Sequence, residues 1–380
     1  MLSSLAGKFP VAILALSDGT VQVGESIGAE GLAAGEMVFH TGMAGYQEVL
    51  TDPGYHGQLL TMTYPHIGNT GVNAQDAESD RVQAAGLIIK SLSPVSSSFR
   101  ASEDLGSHLK AQGTVAISGV DTRQVTVFLR EQGAQRGAIL ALPQGEAATP
   151  VHMERAVAAA RRPRGEPAPD RVSQVSTEQA YRWPDAEGGV RFQVVAVDLG
   201  LRRSTLRALA ARGCSVTVVP AGTAAADVLA YKPDGILLCG GPGDPAACTS
   251  AIAMARELLG SGVPLFGLGL GHQVMALAAG ARTSRTGRAA RGNNHPVRNL
   301  QSGQVTVTGQ SHSYAVQRAS LPGDVQATHV SLFDDTLQGL RWTGKPAASF
   351  QGTPDPAVHD PGDGDDILGR IVAAMSDRAA

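Results

Sequence analysis

The sequence predicts an α/β protein of two domains: a mixed α/β domain over residues 1–150 and, over 192–380, a mainly parallel sheet flanked by helices. A linker over 151–191 joins them. Three observations carry this reading. The chain has 380 residues, more than one ordinary domain of roughly 150. Beyond residue 192, short apolar runs alternate with helical segments, the pattern of βαβ units. Between them, an Ala-rich helix with Arg161, Arg162 and Arg164 gives way to Pro163, Pro167 and Pro169, then to Ser, Thr and Gln. That is linker chemistry, and the basic run reads as a solvated face.

In the first domain the apolar runs Val11–Leu16, Gln58–Thr61, Ala85–Ile89 and Thr114–Ile117 read as strands separated by turns such as Thr51-Asp-Pro-Gly54. A helix starts near Asp121-Thr-Arg and ends at Gly133. In the second domain, strands at Val194–Val197, Val216–Val219, Gly235–Leu238 and Val263–Phe266 alternate with helices at Ser204–Arg212, Ala224–Tyr231, Ala251–Leu259 and Gln273–Ala279, with Thr223 as an expected N-cap. Ligands of such sheets sit at the carboxyl ends of the strands. The loops that should carry chemistry are therefore 239–247 and 267–272.

Composition narrows the function. With 31 basic against 34 acidic residues, the chain carries no field suited to nucleic acid or an anionic membrane. No run approaches the roughly 18–20 apolar residues of a membrane span. Val11–Leu16 is too short, and too soon followed by a turn, for a signal peptide. Cys214, Cys239 and Cys248 are too few and odd in number for a disulfide framework, which fits a soluble protein of the reducing cytoplasm. No Cys/His spacing matches a zinc site.

The fourth strand of the second domain runs into Gly267-Leu-Gly-Leu-Gly271-His272-Gln273. A dinucleotide fingerprint fails, because its last glycine falls on His272 and no acidic residue follows before Asp324. The phrase Gly240-Gly-Pro-Gly-Asp244 lacks the Lys-Ser/Thr ending of a phosphate loop. A nucleophile elbow fits the glycine spacing, but its central residue is Gly269, which has no side chain.

The phrases Pro264–Gln273, Gly241-Pro-Gly-Asp-Pro245 and Ser349-Phe-Gln-Gly-Thr-Pro354 resemble the class I glutamine amidotransferase domain of the carbamoyl phosphate synthetase small-chain family. So do Phe39–Glu48, Leu50-Thr-Asp-Pro53, Thr63–Asn69 and Asp121-Thr-Arg123 in the first half, and Asn294-His-Pro296 and Ser331–Gly339 later. The resemblance implies a partner, the large synthetase chain, docked on the first domain. It implies no cofactor in this chain, since ATP and Mg would be used by the large chain. The family hydrolyses glutamine through a Cys–His pair and a thioester, then passes ammonia to the large chain.

By the same resemblance, the family's cysteine falls on Gly269, its histidine on Thr353 and its glutamate on Asp355. Glycine supplies no thiolate and threonine takes up no proton near neutrality. The glutamine-binding positions are Gly54, Gly241, Gly243, Leu270, Gln273, Ser311, Ser313 and Tyr314. Of these, Gly54 stands for a serine, Ser311 for an asparagine and Ser313 for a glycine. His272, His295 and His312 are family positions with a structural implication. Cys239, at the end of the third strand, is the thiol nearest the expected pocket and reads as a buried apolar cysteine.

Three functions compete. One is a small chain that no longer hydrolyses glutamine, caps the ammonia tunnel and supports pyrimidine and arginine synthesis from free ammonia. Another is an active glutaminase with a relocated nucleophile such as Cys239. The third is a noncatalytic regulatory protein that binds glutamine or another small amide.

Overall fold

The computed structural model describes residues 9–162, 170–185, 189–353 and 367–379. They form two compact units, residues 1–164 with 287–291 and residues 165–286 with 292–380.

The first unit is built on a closed seven-stranded barrel of mixed pairing. Its strands Gly31–His40, Gln58–Met62, Gly86–Ile88 and Val115–Ser118 run parallel in that order. Closure comes from Arg136–Ala141, which pairs antiparallel with both Val11–Leu16 and Gly31–His40. The period-two pattern explains why both faces are dry. Ala12, Leu14 and Leu16 enter one apolar cluster, while Ile13 and Ala15 enter another. The expected helix after Asp121 is Thr122–Gln132; the Asp121 carboxylate accepts from the Gln124 N–H at 2.9 Å, and the helix ends at Gly133.

The expected Ala-rich helix is Pro150–Arg161, and it packs with the first unit rather than standing in the linker over 151–191. Its Ala156 and Ala160 are buried against Ile13, Ala15, Ala138 and Leu140, and their small side chains let the helix lie close on the strands. Arg161 is not simply solvated: its guanidinium donates from Nε to the Ser17 carbonyl and from Nη2 to the Asp18 carbonyl, at 3.2 and 3.3 Å. Arg164 lies outside the described residues.

The second unit holds a ten-stranded sheet. At its centre Cys214–Pro220, Phe192–Asp198, Gly235–Cys239, Leu265–Leu268 and Ala347–Phe350 lie parallel in that order. Antiparallel strands extend it, Leu337–Trp342 beside Ala347–Phe350 and then Val325–Ser331. The central strands are buried on both faces. Val194 and Ala196 point into one apolar cluster and Val195 and Val197 into the other.

Two local expectations are corrected. Thr223 does not cap the helix Ala225–Ala230. Its N-cap is Ala224, with no side-chain bond, and the Thr223 hydroxyl donates instead to the Pro220 carbonyl at 2.8 Å. The helix expected at Gln273 begins at Leu270, because it starts directly from the turn at Gly269.

Placing a charge at the helix–barrel seam tests the reassignment of 151–161. Ala160→Glu is expected to cost more than about 2 kcal/mol through an unpaired buried carboxylate, read as a lowered urea midpoint. An exposed-helix control, Val151→Glu, should cost under about 0.5 kcal/mol.

Candidate active site

The strand Leu265–Leu268 passes through Gly269 straight into the helix Leu270–Ala278. Gly269 has φ 58° and ψ −117°, a conformation that residues with a Cβ adopt only under strain. Its flanking glycines are sterically required. A Cβ on Gly267 would lie 2.6 Å from the Gly271 carbonyl oxygen, and one on Gly271 would lie 2.1 Å from the Leu238 carbonyl oxygen. At Gly269 itself there is room: the nearest neighbour of an added Cβ is Gly240 Cα at 3.9 Å. The turn is an elbow with space for a side chain and none in it.

The loop after Gly235–Cys239 packs on this elbow. The Gly240 N–H donates to the Leu268 carbonyl at 3.2 Å. Gly241 has φ 117° and lies so close to Leu270 that an added Cβ would meet Leu270 Cδ2 at 2.4 Å. Gly243, with φ 98°, lies beside the Arg171 side chain. Gly241 and Leu270, two expected backbone contributors, are thus brought together.

Asp198 supports that loop. Its buried carboxylate accepts N–H bonds from Thr177, Gly200 and Leu201 at 2.7–2.9 Å, while burial pushes its pKa up. The turn it shapes sits directly under the glycines, since a Cβ on Gly240 would fall 1.9 Å from the Gly200 carbonyl oxygen. The signal in the sequence was Asp-Leu-Gly at the end of an apolar strand, a short carboxylate placed to cap a tight turn.

The opposite wall comes from strands Ala347–Phe350 and Val305–Val316. The Gly269 N–H donates to the Phe350 carbonyl at 3.0 Å. Three residues on, Thr353 is joined to Gly309 by a pair of backbone bonds of 2.8 and 3.3 Å. Asp355 lies outside the described residues. Ser311, Ser313 and Tyr314 are half-buried on Val305–Val316. Gly54 lies in the first unit, in the turn Pro53–Tyr55, with its N–H bonded to the Asp52 carboxylate at 2.8 Å.

Buried amides cross-link these walls. Gln273 Nε2 donates to the Tyr314 carbonyl at 2.6 Å and to Gln351 Oε1 at 2.8 Å. Gln310 Nε2 donates to Gln338 Oε1 at 2.9 Å, and the Gln351 N–H donates to the Gln338 carbonyl at 2.8 Å. Both Gln273 amide hydrogens are used by the protein itself, a point that sequence reasoning missed.

His272 is fully buried, its Nδ1 2.8 Å from the Ser349 hydroxyl. Burial, with a smaller contribution from the nearby His312, pulls its pKa down to about 3, so it is neutral at pH 7 and a poor base. The His312 Nδ1 donates to the Tyr314 carbonyl at 2.9 Å, and the His295 ring packs edge-on against Phe333 at 5.3 Å. Cys239 is 4% exposed, packed with Leu268 and Phe350 in the core. Among the described residues no group of three or more His, Cys, Asp or Glu could hold a metal ion, and no helix is long and apolar enough to cross a membrane.

A strained strand-to-helix turn faced by a glycine loop, on a sheet with a parallel centre, defines the class I glutamine amidotransferase fold, and residues 195–362 match the description "Glutamine amidotransferase class-I". Residues 14–139 match "Carbamoyl-phosphate synthase small chain, CPSase domain". The chain is 48% identical to the carbamoyl phosphate synthase small chain of Rubrivivax gelatinosus, over 97% of this chain and 99% of that one. It is 49% identical to that of Pseudomonas aeruginosa over 97% and 99%, and 49% identical to that of Xanthomonas campestris over 96% and 98%. The chain belongs to the carbamoyl phosphate synthase small-chain family.

Two measurements test this geometry. Gly269→Cys is expected to lower stability by about 1–3 kcal/mol, the cost of holding a Cβ in the elbow conformation, while leaving the fold intact by circular dichroism. The second concerns His272, whose pKa falls from 6.5 to about 3 on folding. The unfolded chain therefore binds the extra proton, and this contribution to stability is full above 6.5 and lost as pH falls towards 3. Between about pH 7.5 and pH 5 the loss is about 2 kcal/mol. His272→Asn should remove that part of the pH slope in urea titrations.

Proposed function

We propose that this chain is a small-chain subunit that has lost glutamine hydrolysis and acts as the structural, tunnel-capping partner of a large synthetase chain. The observation that carries the reading is the elbow: its backbone has the strained turn with the Gly240–Gly241 loop packed on it, yet Gly269 offers no atom to attack an amide. Without a thiolate no thioester forms, and Thr353, where the family has its histidine, cannot take the proton. The nitrogen for carbamoyl phosphate then comes from free ammonia, used by the large chain with bicarbonate, ATP and Mg²⁺. On this reading the chain docks through its first unit, forms a heterodimer in the cytoplasm and serves pyrimidine and arginine synthesis.

Relocation of the nucleophile to Cys239 is disfavoured by its place in the core beside Leu268 and Phe350. A reading as a regulatory, amide-binding protein is favoured by one feature, the surviving juxtaposition of Gly241 and Leu270. That reading differs from the first in what the complex makes.

Carbamoyl phosphate formation by the chain mixed with its large chain separates these readings. Ammonia should support synthesis, and glutamine should support less than about one-thousandth of that rate, the scale of losing a nucleophile. Glutamine use with stoichiometric glutamate release would overturn the proposal. Gly269→Cys combined with Thr353→His should bring back glutamate release if the remaining shell is sound.

A further inference from the structure

Two loops of the first unit are tied into one platform. Strands His66–Ile67 and Ser91–Leu92 run parallel, and beyond them the Ser93 and Ser97 N–H groups donate to the Ile67 and Asn69 carbonyls at 2.7 and 2.9 Å. Further along, the Val72 N–H donates to the Glu103 carbonyl and the Ser102 N–H to the Val72 carbonyl, both at 2.9 Å. Between these ties Gly71 lies so close that an added Cβ would meet Ala101 Cβ at 2.6 Å, and Arg100 is ion-paired with Asp76. The phrase Phe39–Glu48 braces the same platform. Its Tyr46 hydroxyl donates to the Gly71 carbonyl at 2.6 Å, and its Gln47 side chain accepts from the Asn73 N–H at 2.9 Å.

From this platform Phe99 projects into solvent. At 98% exposure it is the most exposed large apolar side chain among the described residues, and Val95 on the same loop is 65% exposed. A single exposed apolar residue is common on protein surfaces and carries no meaning alone. Here the chain has only 8 phenylalanines, and it holds one of them out on a segment whose backbone is bonded on both sides of it. A ring presented on a pre-ordered loop loses little conformational entropy on association, which suits an interface anchor. The loop lies in the half of the chain that matches the small-chain family, not in the amidotransferase half. A surface that sets small chains apart from other amidotransferases belongs in that half, and the partner that sets them apart is the large synthetase chain. We propose that Phe99, with Val95 on the same loop, is the anchor by which this chain docks on the large chain, filling an apolar recess of that partner wide enough for a phenyl ring. The inference rests on the partnership proposed above and not on the residue at position 269.

Titration of the full chain onto its immobilised large chain tests this. The unmodified chain should bind, and Phe99→Ala should bind at least ten-fold more weakly through faster dissociation. Phe99→Leu, which keeps an apolar side chain, should lose less. Val151→Ala, at a 70% exposed valine on helix Pro150–Arg161, should bind within two-fold of the unmodified chain. Because the Phe99 ring is solvated in the free chain, the urea midpoint of Phe99→Ala should be unchanged, so weaker binding reports the interface and not unfolding. Phe99→Ala binding within two-fold of the unmodified chain would overturn the anchor and leave the partnership standing. So would an equal loss in Val151→Ala. No binding by the unmodified chain would overturn both the anchor and the partnership.

Discussion

The hydrogen bond from the Gly269 N–H to the Phe350 carbonyl fixes the place where a strand, a helix and the returning strand Ala347–Phe350 meet. The other features of the second unit's carboxyl edge are arranged around it. Gly267 and Gly271 lack side chains because the turn brings backbone against backbone. The Gly240–Gly241 loop presses on Leu270 from one side, and the paired backbones of Gly309 and Thr353 close the other. This is positioning by close packing of main chain, and it survives the absence of the side chain that it would position.

Much of this was legible in the sequence. Glycines two residues either side of position 269 predicted an elbow, and their steric role is what the structure shows. Apolar runs marked the central strands because those strands are buried on both faces. The closed barrel was not legible: its closure depends on Arg136–Ala141 pairing with two strands far away in sequence, and no local pattern reports pairing. The Ala-rich helix was legible as a helix but not as part of the first unit, because composition does not report the partner surface on which Ala156 and Ala160 pack. The fate of Gln273 was hidden for a similar reason. Its identity said that it could contact a ligand, while its partners, Tyr314 and Gln351, come from elements about 40 and 80 residues further on.

The buried polar groups around the elbow divide by role. Asp198 holds a turn through three N–H donors and stays buried because they compensate its desolvation. His272 is held neutral by burial. The glutamine amides tie elements together without net charge. None of these contacts requires a nucleophile at position 269, so the scaffold around the elbow is stabilised by interactions separate from the chemistry that its relatives' family name describes. That separation lets the elbow keep its form with glycine at position 269 in a chain 48% identical to another member of its family.

On the proposed reading, the glycine at position 269 also has a genetic meaning. Glycine and cysteine codons differ by a single base, whereas threonine and histidine codons differ by more than one. An elbow with space for a Cβ 3.9 Å from its nearest neighbour would accept a thiol sterically in one mutational step, before a histidine could appear at Thr353. On the proposed reading the route to a glutamine-hydrolysing site is therefore ordered: a nucleophile without its base comes first, and such an intermediate offers little for selection to act upon.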